Sequence, residues 1–304
     1  MTYTFSGEIP VMINPEFIYS CQMPTSDAPL VAAAPFKLGG WGGLNLVQDL
    51  IDAYQMVDGQ DINESSQDYP YPDASVNFER IGGANQTFSG FTLLASTARM
   101  YNNREPRFYA TLGFDGSSWY GIGKMDDNDM WYLQAKAKQA SGKRGNTLYS
   151  ITGYFAKKLV RYQNAMVPAS IQIETYPFPI IRLADLYLLY AEALNEAKKE
   201  EGTVPEDCYT YIDKVRARAG LKGVKDSWRL YANDANKPNT YEGFQTIVRK
   251  ERMIELALEG QRFWDIRRWN LANQYFNKSL QGWDINQSET CLLYTSPSPR
   301  DGAT

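Results

Sequence analysis

The residues best placed to do chemistry are three glutamates spaced four positions apart, Glu251, Glu255 and Glu259. On one helix they share a face, where this carboxylate row could serve acid-base catalysis or hold a divalent cation. The structural alternative is ion pairing, because carboxylates at this spacing repel by roughly 0.2–0.5 kcal/mol unless cations intervene. We favour pairing across a helix hairpin with the arginines nearby in sequence, which are Arg252, Arg262, Arg267 and Arg268.

Histidine is absent from the 304 residues. Its absence excludes Ser-His-Asp triads, Cys-His dyads and histidine-ligated metal sites. The three cysteines, Cys21, Cys208 and Cys291, are far apart and outside any Cys-x-x-Cys pattern, which argues against a zinc site or a disulfide framework. We therefore expect a protein that is not an enzyme, with no catalytic residue, no cofactor and no metal.

The charge balance and the apolar stretches limit the partners. Lysine and arginine number 31 against 35 acidic residues, a formal charge of −4, so no basic field favours nucleic acid. Stretches such as residues 186–191 fall far short of the ~20 apolar residues that span a bilayer. The N-terminal residues also lack the charged and apolar regions of a signal peptide. We expect no nucleic-acid partner and no transmembrane segment.

Aromatic residues on polar loops are the candidate ligand contacts. A sugar ring offers an apolar C–H face and a rim of hydroxyls, so its receptor needs accessible Trp or Tyr faces beside polar groups. Four glycines surround the tryptophan of residues 36–44 and would let its indole stand clear. A second polar loop spans residues 115–132. The predicted ligand-binding residues are Trp41, Asp115, Trp119, Tyr120, Trp131 and Tyr132, although each ring could instead pack under its own loop.

Two other loop patterns carry weaker signals. The acidic run 126–129 lacks EF-hand spacing and a downstream glutamate, so a solvated loop is favoured over a calcium site. The glycines at 39–43 lack the Gly-Lys-Ser/Thr ending of a phosphate loop. Neither pattern adds a ligand to the prediction.

The elements that must position these residues change in character near residue 177. Residues 1–176 contain many turn signals and short apolar pieces, and we interpret them as a loop-rich ligand region. Residues 177–290 show strong helical periodicity and form a predicted helix-pair region. The predicted helices are 44–57, 181–197, 205–219, 241–258 and 262–269, with 221–240 as an inserted polar loop.

Four strings resemble one known family in sequence and order. They are NREPRFYAT (103–111) with TGY (152–154), PIIRLADLYLLYAEALN (179–195), VRARAGL (215–221) and RKERMIELALEGQRFWDIRRW (249–269). The last closely resembles the C-terminal signature of the SusD/RagB family of Bacteroidetes outer-membrane nutrient-binding lipoproteins. The similarity covers most of residues 8–290.

The resemblance implies an all-α fold, a superhelix of tetratricopeptide-like helix pairs with long irregular loops and few short strands. It also implies a non-catalytic role at the cell surface, holding an oligosaccharide or similar nutrient for a SusC-like TonB-dependent transporter. Family members carry a lipoprotein signal and an acylated cysteine, and Cys21 does not lie in such a motif. We therefore expect residues 1–290 to be part of a longer, lipid-anchored outer-membrane protein. Residues 291–304 are interpreted as a non-native tail resembling sequencing-adapter read-through.

Three hypotheses remain for function. The first is non-catalytic binding of a glycan by aromatic stacking and hydroxyl hydrogen bonds. The second is a helical-repeat module that binds a protein and no small ligand. The third is a glycoside hydrolase that uses two carboxylates, such as Asp115 and Glu174, and needs no histidine.

Overall fold

A computed structural model describes residues 14–24, 27–67, 69, 80–119, 131–161, 165–167, 170–172 and 176–286. Of the residues singled out from the sequence, Tyr120, Glu174 and Cys291 lie outside this part of the chain, as do the acidic run 126–129 and the tail 291–304.

The described part is mostly helical, which confirms the predicted fold class. In the first half the helices are short, and in the second half they reach up to fifteen residues. In chain order the α-helices are α1 (Asp27–Ala33), α2 (Gln48–Ala53), α3 (Pro106–Thr111), α4 (Leu183–Ala197), α5 (Glu206–Arg218), α6 (Val224–Tyr231), α7 (Tyr241–Glu255), α8 (Gln261–Arg268) and α9 (Ala272–Phe276).

Within the described ranges, the strands form four separate antiparallel pairs. Three pairs join neighbours in sequence, and the fourth joins the two ends of the first half, because β1 pairs with β8 and sets Phe17 opposite Arg182. Arg182 is the last residue of β8 and directly precedes α4. The β1–β8 pair therefore fixes the position at which the long helices begin. The strands are β1 (Phe17–Pro24), β2 (Gln86–Phe88), β3 (Phe91–Leu93), β4 (Ser118–Trp119), β5 (Trp131–Tyr132), β6 (Ala165–Val167), β7 (Ser170–Gln172) and β8 (Pro177–Arg182).

Two large hydrophobic cores divide the molecule. The first is built from residues 33–160 and is rich in aromatic rings, such as Tyr101, which lies 4.1 Å from Phe114 between ring centroids. The second is built from α4, α5, α6 and α7 around residues such as Leu188 and Trp228. Helix α7 belongs to both, because Ile247 packs in the second core and its penultimate residue, Ile254, packs in the first. It is therefore the element that joins them.

The observed boundaries correct three sequence predictions. The predicted helix 44–57 is shortened to α2. The predicted polar loop 221–240 contains α6, because Val224 and Trp228, four residues apart, are both buried in the second core. The predicted helix 241–258 ends at Glu255. It does not reach Leu258, whose left-handed backbone with φ 69° is incompatible with an α-helix. No helix in the described ranges combines the length and apolarity needed to cross a membrane.

Candidate functional site

The carboxylate row lies between the two cores and is fully ion-paired. Glu251 pairs with Arg107 of α3 and, at 3.2 Å, with Arg216 of α5. Glu255 is reached at 3.3 Å by Arg107 and at 3.0 Å by Arg182. Every one of these side chains is at most 2% exposed. The row therefore acts as a structural clamp between distant parts of the chain, in agreement with the structural interpretation.

The third carboxylate belongs to the same clamp although it lies beyond the end of α7. Arg182 donates to Glu259 from Nε at 2.6 Å and from Nη2 at 2.7 Å, a two-pronged contact. Lys158 donates to the same carboxylate at 2.6 Å and to the backbone carbonyls of Glu255 and Ala257 at 3.0 Å. The lysine ammonium thus also covers carbonyl groups at the helix C-terminus, where positive charge is favourable.

The clamp controls the protonation of its central carboxyl. Burial alone would raise the pKa of Glu255, but the positive charges of Arg218, Arg182 and Arg107 outweigh burial and lower it to about 2. Glu105 differs, because burial raises its pKa and the neighbouring Arg107 offsets this only in part. Glu255 is therefore held as a carboxylate, which suits an ion-pair anchor better than a general acid.

The predicted partners of the row were wrong. Arg252 points to the other side of α7 and pairs with Asp185 at 2.7 Å and Asp265 at 2.9 Å. Arg268 pairs with Glu192 and Asp265 instead. Arg262 and Arg267 lie over aromatic rings. Proximity in sequence misled, because Arg252 and Arg268 pair with carboxylates outside the row.

Trp41 is the one sequence-predicted indole with a widely accessible ring in the described residues. It is 47% exposed and stands on a glycine loop that folds back onto α1. The Trp41 N–H donates to the Val31 carbonyl at 2.8 Å, and the Gly42 N–H donates to the Ala34 carbonyl at 3.0 Å. A Cβ on Gly40 would lie only 2.1 Å from the Ala34 carbonyl oxygen. The glycines thus let the backbone pack tightly while the indole faces outward.

A second segment, residues 143–151, lies against this loop. A Cβ on Gly42 would lie 3.2 Å from the carbonyl carbon of Tyr149, so the two backbones are in contact. Ile151, itself exposed, donates its N–H to Asn45 at 3.1 Å. We call the set Trp41, Lys143, Arg144, Tyr149 and Ile151 the Trp41 face.

Cations line the Trp41 face. The Lys143 ammonium lies 5.7 Å from the Tyr149 ring centroid and donates to Asn286 at 2.8 Å. The Arg144 guanidinium carbon lies 5.1 Å from the ring centroid of Phe36, which begins the 3-10 turn preceding the glycine loop. An exposed indole, a half-buried tyrosine ring, an exposed aliphatic side chain and cationic groups therefore share this surface, the combination that a sugar receptor requires.

The second predicted group is only partly accessible. Trp119 in β4 is 1% exposed, which contradicts the expectation that its ring stands on an open loop. It packs against Trp131, with centroids 6.3 Å apart, and Trp131 and Tyr132 in β5 are half-buried. The Lys37 ammonium lies 5.2 Å from the Trp131 centroid. Burial occurs because the β4–β5 pair places Trp119 in the first core.

Asp115 is also buried and has structural partners. It accepts the Ala135 N–H at 2.8 Å and pairs with Lys136 at 3.1 Å, so it holds the ends of the second loop together. Burial raises its pKa, and Lys136 offsets that rise only in part. With 6% of its surface exposed, the carboxyl offers little access to a ligand.

The sequence analysis missed the cations and the tyrosine of the Trp41 face. Lys143, Arg144 and Tyr149 flank a Gly-Asn turn at 145–146, which is a turn signal with an aromatic residue beside it. That signal predicts an exposed loop, but nothing in it points to residue 41, about a hundred positions earlier.

Comparison with known proteins decides the family. The model of the SusD family matches residues 15–295. The chain belongs to the SusD family. The four strings that carry the resemblance have a structural role in this chain. They supply the carboxylate row and every cation that pairs with it except Lys158. They also supply Glu105, which pairs with Arg107.

Named relatives agree with this assignment. A SusD-like protein, P25, of Formosa agariphila is 36% identical over 92 residues, which are 30% of this chain and 15% of that protein. Among solved structures, a SusD-like protein of Bacteroides fragilis has 26% identity and a TM-score of 0.65, with 93% of this chain and 49% of the other covered. A SusD superfamily protein of Bacteroides vulgatus has 18% identity and a TM-score of 0.51, with coverage of 91% and 44%. The chain thus spans about half the length of these solved relatives.

Proposed function

We propose that this SusD-family protein binds a glycan non-catalytically and that the Trp41 face is the binding surface. The observation that carries the proposal is the 47% exposed Trp41 on a loop whose backbone is fixed by hydrogen bonds. This loop is in backbone contact with the segment that carries Lys143, Arg144 and Tyr149. An aromatic ring on a fixed backbone stacks on the apolar face of a pyranose at little entropic cost. Lys143 and Arg144 supply donors for the ring hydroxyls.

The remaining predicted residues take supporting parts in this proposal. Trp131 and Tyr132 extend the surface from β5, and Tyr120 belongs to the same loop by sequence. Trp119 packs against the Trp131 ring, and Asp115 fixes the loop ends through its ion pair with Lys136. The family resemblance adds the cellular role, in which the glycan passes to a SusC-like TonB-dependent transporter and the full-length protein is lipid-anchored on the outer face of the outer membrane.

Isothermal titration against a panel of neutral oligosaccharides tests the proposal. We expect Trp41→Ala to weaken binding of the recognised glycan by about tenfold or more, since buried Trp contacts dominate such sites. Trp264→Ala is the matched control, because Trp264 is also exposed, at 65%, but lies on α8 away from the face. Equal loss in both variants would contradict the assignment.

A reducing-end assay on the same glycan separates binding from hydrolysis. Under the proposal, incubation releases no sustained product, and bound glycan is recovered intact. Product release above a heat-denatured control would favour the carboxylate-based hydrolase. Failure of every glycan, together with capture of a defined protein partner, would favour the interaction module instead.

A further inference from the structure

A concave site lies mainly on α7, α8 and α9. A cavity of about 300 Å3 opens between α7, the α8–α9 turn and the segment at Asp61. Helix α7 contributes Thr246, Arg249, Lys250 and Met253, which occupy positions i, i+3, i+4 and i+7 and so line one helix face. The cavity shares no residue with the Trp41 face.

The cavity carries uncompensated positive charge. Lys250 is balanced by an ion pair with Asp61. Arg249 and Arg262 form no ion pair with any carboxylate in the described ranges, whereas the clamp arginines on the other side of α7 each form at least one. The Nε of Arg249 is moreover shielded from solvent without a hydrogen-bond partner among the described residues. Shielded guanidinium donors of this kind favour an anion.

Aromatic rings hold these guanidinium groups in place. The Arg249 guanidinium carbon lies 4.9 Å from the Trp269 ring centroid, and that of Arg262 lies 4.5 Å from the Tyr275 centroid. The Trp269 indole is itself fixed, because its Nε1–H donates to Glu192 at 2.5 Å. A guanidinium stacked on a ring keeps its in-plane N–H groups available for a carboxylate or a sulfate.

We propose that this cavity is a second ligand site, which binds the anionic group of an acidic saccharide unit, a carboxylate or a sulfate ester, through Arg249 and Arg262. The saccharide part of this assignment rests on the proposed function. The size of the cavity supports a saccharide unit as the ligand, because about 300 Å3 lies at the lower end of small-ligand pockets. Met253 and Leu271 supply apolar contact for a ring face, and the Thr246 hydroxyl lies at the lining for a ring hydroxyl.

The test follows the Trp269 indole N–H resonance by NMR while glucuronate, glucose 6-sulfate, glucose or inorganic sulfate is added to the whole chain. We expect the two charged sugars to shift this resonance with dissociation constants at least about tenfold below that of glucose. The double variant R249Q/R262Q should lose that preference. Arg229→Gln is the matched control, since Arg229 is an exposed arginine whose pair with Asp226 lies on α6.

A further variant keeps the test decisive if the double variant does not fold. Thr246→Trp leaves both arginines in place and fills an exposed position of the lining, so it should weaken charged-sugar binding by about tenfold or more. Retained binding in this variant, or in folded R249Q/R262Q, would overturn the proposal. Inorganic sulfate binding as tightly as glucose 6-sulfate would overturn the saccharide assignment.

The Trp41→Ala variant and the Trp269 resonance together distinguish the two sites. Trp41→Ala should leave the charged-sugar response of Trp269 unchanged, while it removes binding of the neutral glycan. Loss of the Trp269 response in Trp41→Ala would contradict a separate second site. Absence of neutral-glycan binding with a preserved Trp269 response would instead count against the proposed function alone.

Discussion

The clamp between the two cores and the Trp41 face use charged and aromatic side chains in opposite states. In the clamp, Glu251 and Glu255 are buried and paired with several cations each. On the Trp41 face, the indole is half exposed, and Arg144 is exposed beside a ring. The strongest electrostatic contacts of the chain thus join distant segments, whereas the weaker contacts on the Trp41 face stay accessible to a ligand.

Glu255→Gln is expected to have the largest effect. Removal of this charge leaves Arg107, Arg182 and Arg218 without a shared partner in a buried layer, which should cost about 3–5 kcal/mol of unfolding free energy. Chemical denaturation measures the loss. Glu206→Gln is the control, because its pair with Lys225 is exposed, and we expect less than about 1 kcal/mol there.

The same variant has a defined pH signature. The folded pKa of Glu255 lies at about 2 against 4.5 for the free group, so its stabilisation is complete above pH 4.5 and is lost as the pH falls toward 2. The acid-induced fall in stability should therefore be smaller in Glu255→Gln than in the wild type. Parallel curves for the two proteins would show that the clamp does not act as an electrostatic anchor.

Trp119→Ala sharpens the contrast between the two predicted indoles. Trp119 is packed in the first core, so truncation should cost about 3–5 kcal/mol of unfolding free energy. Trp41→Ala should change it much less, because about half of Trp41 is exposed and it belongs to neither hydrophobic core. Thermal unfolding of both variants measures this. A large stability loss in Trp41→Ala would remove the distinction between core and surface rings.

Lys157→Met is expected to have an effect on stability that depends on pH. Burial lowers the pKa of Lys157 from 10.5 to about 7, beside the Phe91 and Trp119 rings. Between these values the unfolded chain binds more protons than the folded one, so stability rises with pH across this window. Lys157→Met should remove up to about 1.4 kcal/mol of that rise per pH unit.

Denaturation at pH 7, 8 and 9 tests the lysine prediction. Lys214→Met, which removes an exposed lysine on α5, controls for the loss of a charge as such. An unchanged pH slope in Lys157→Met would mean that this ammonium group is not desolvated in the first core.

The helical half was largely predictable because its signals are local. The apolar periodicity of α4 and α5 and the glycines that follow them set their ends to within a few residues. Helix α6 was missed because it is only eight residues long and lies inside a stretch that is polar as a whole. Its buried residues Val224 and Trp228 do lie four positions apart, and their packing in the second core decides the helix.

The candidate site was predictable only in part. The glycines around Trp41 indicated an accessible indole, and the structure places it at the surface. The same argument failed for Trp119, because its accessibility depends on the pairing of β4 with β5 and not on loop composition. The arginines of the clamp lie 35 to 148 positions from the glutamates of the row with which they pair, a separation at which sequence spacing carries no information about contact.

Residue identity and order along the chain are enough to predict the family, the helix periodicity and the exclusion of histidine chemistry. Tertiary structure alone decided which arginine meets Glu255, which tryptophan faces solvent, and that Arg249 and Arg262 share a cavity with two rings. The physical reason is that burial and ion pairing depend on which distant segments fold against each other, and those contacts exist only once both cores have formed.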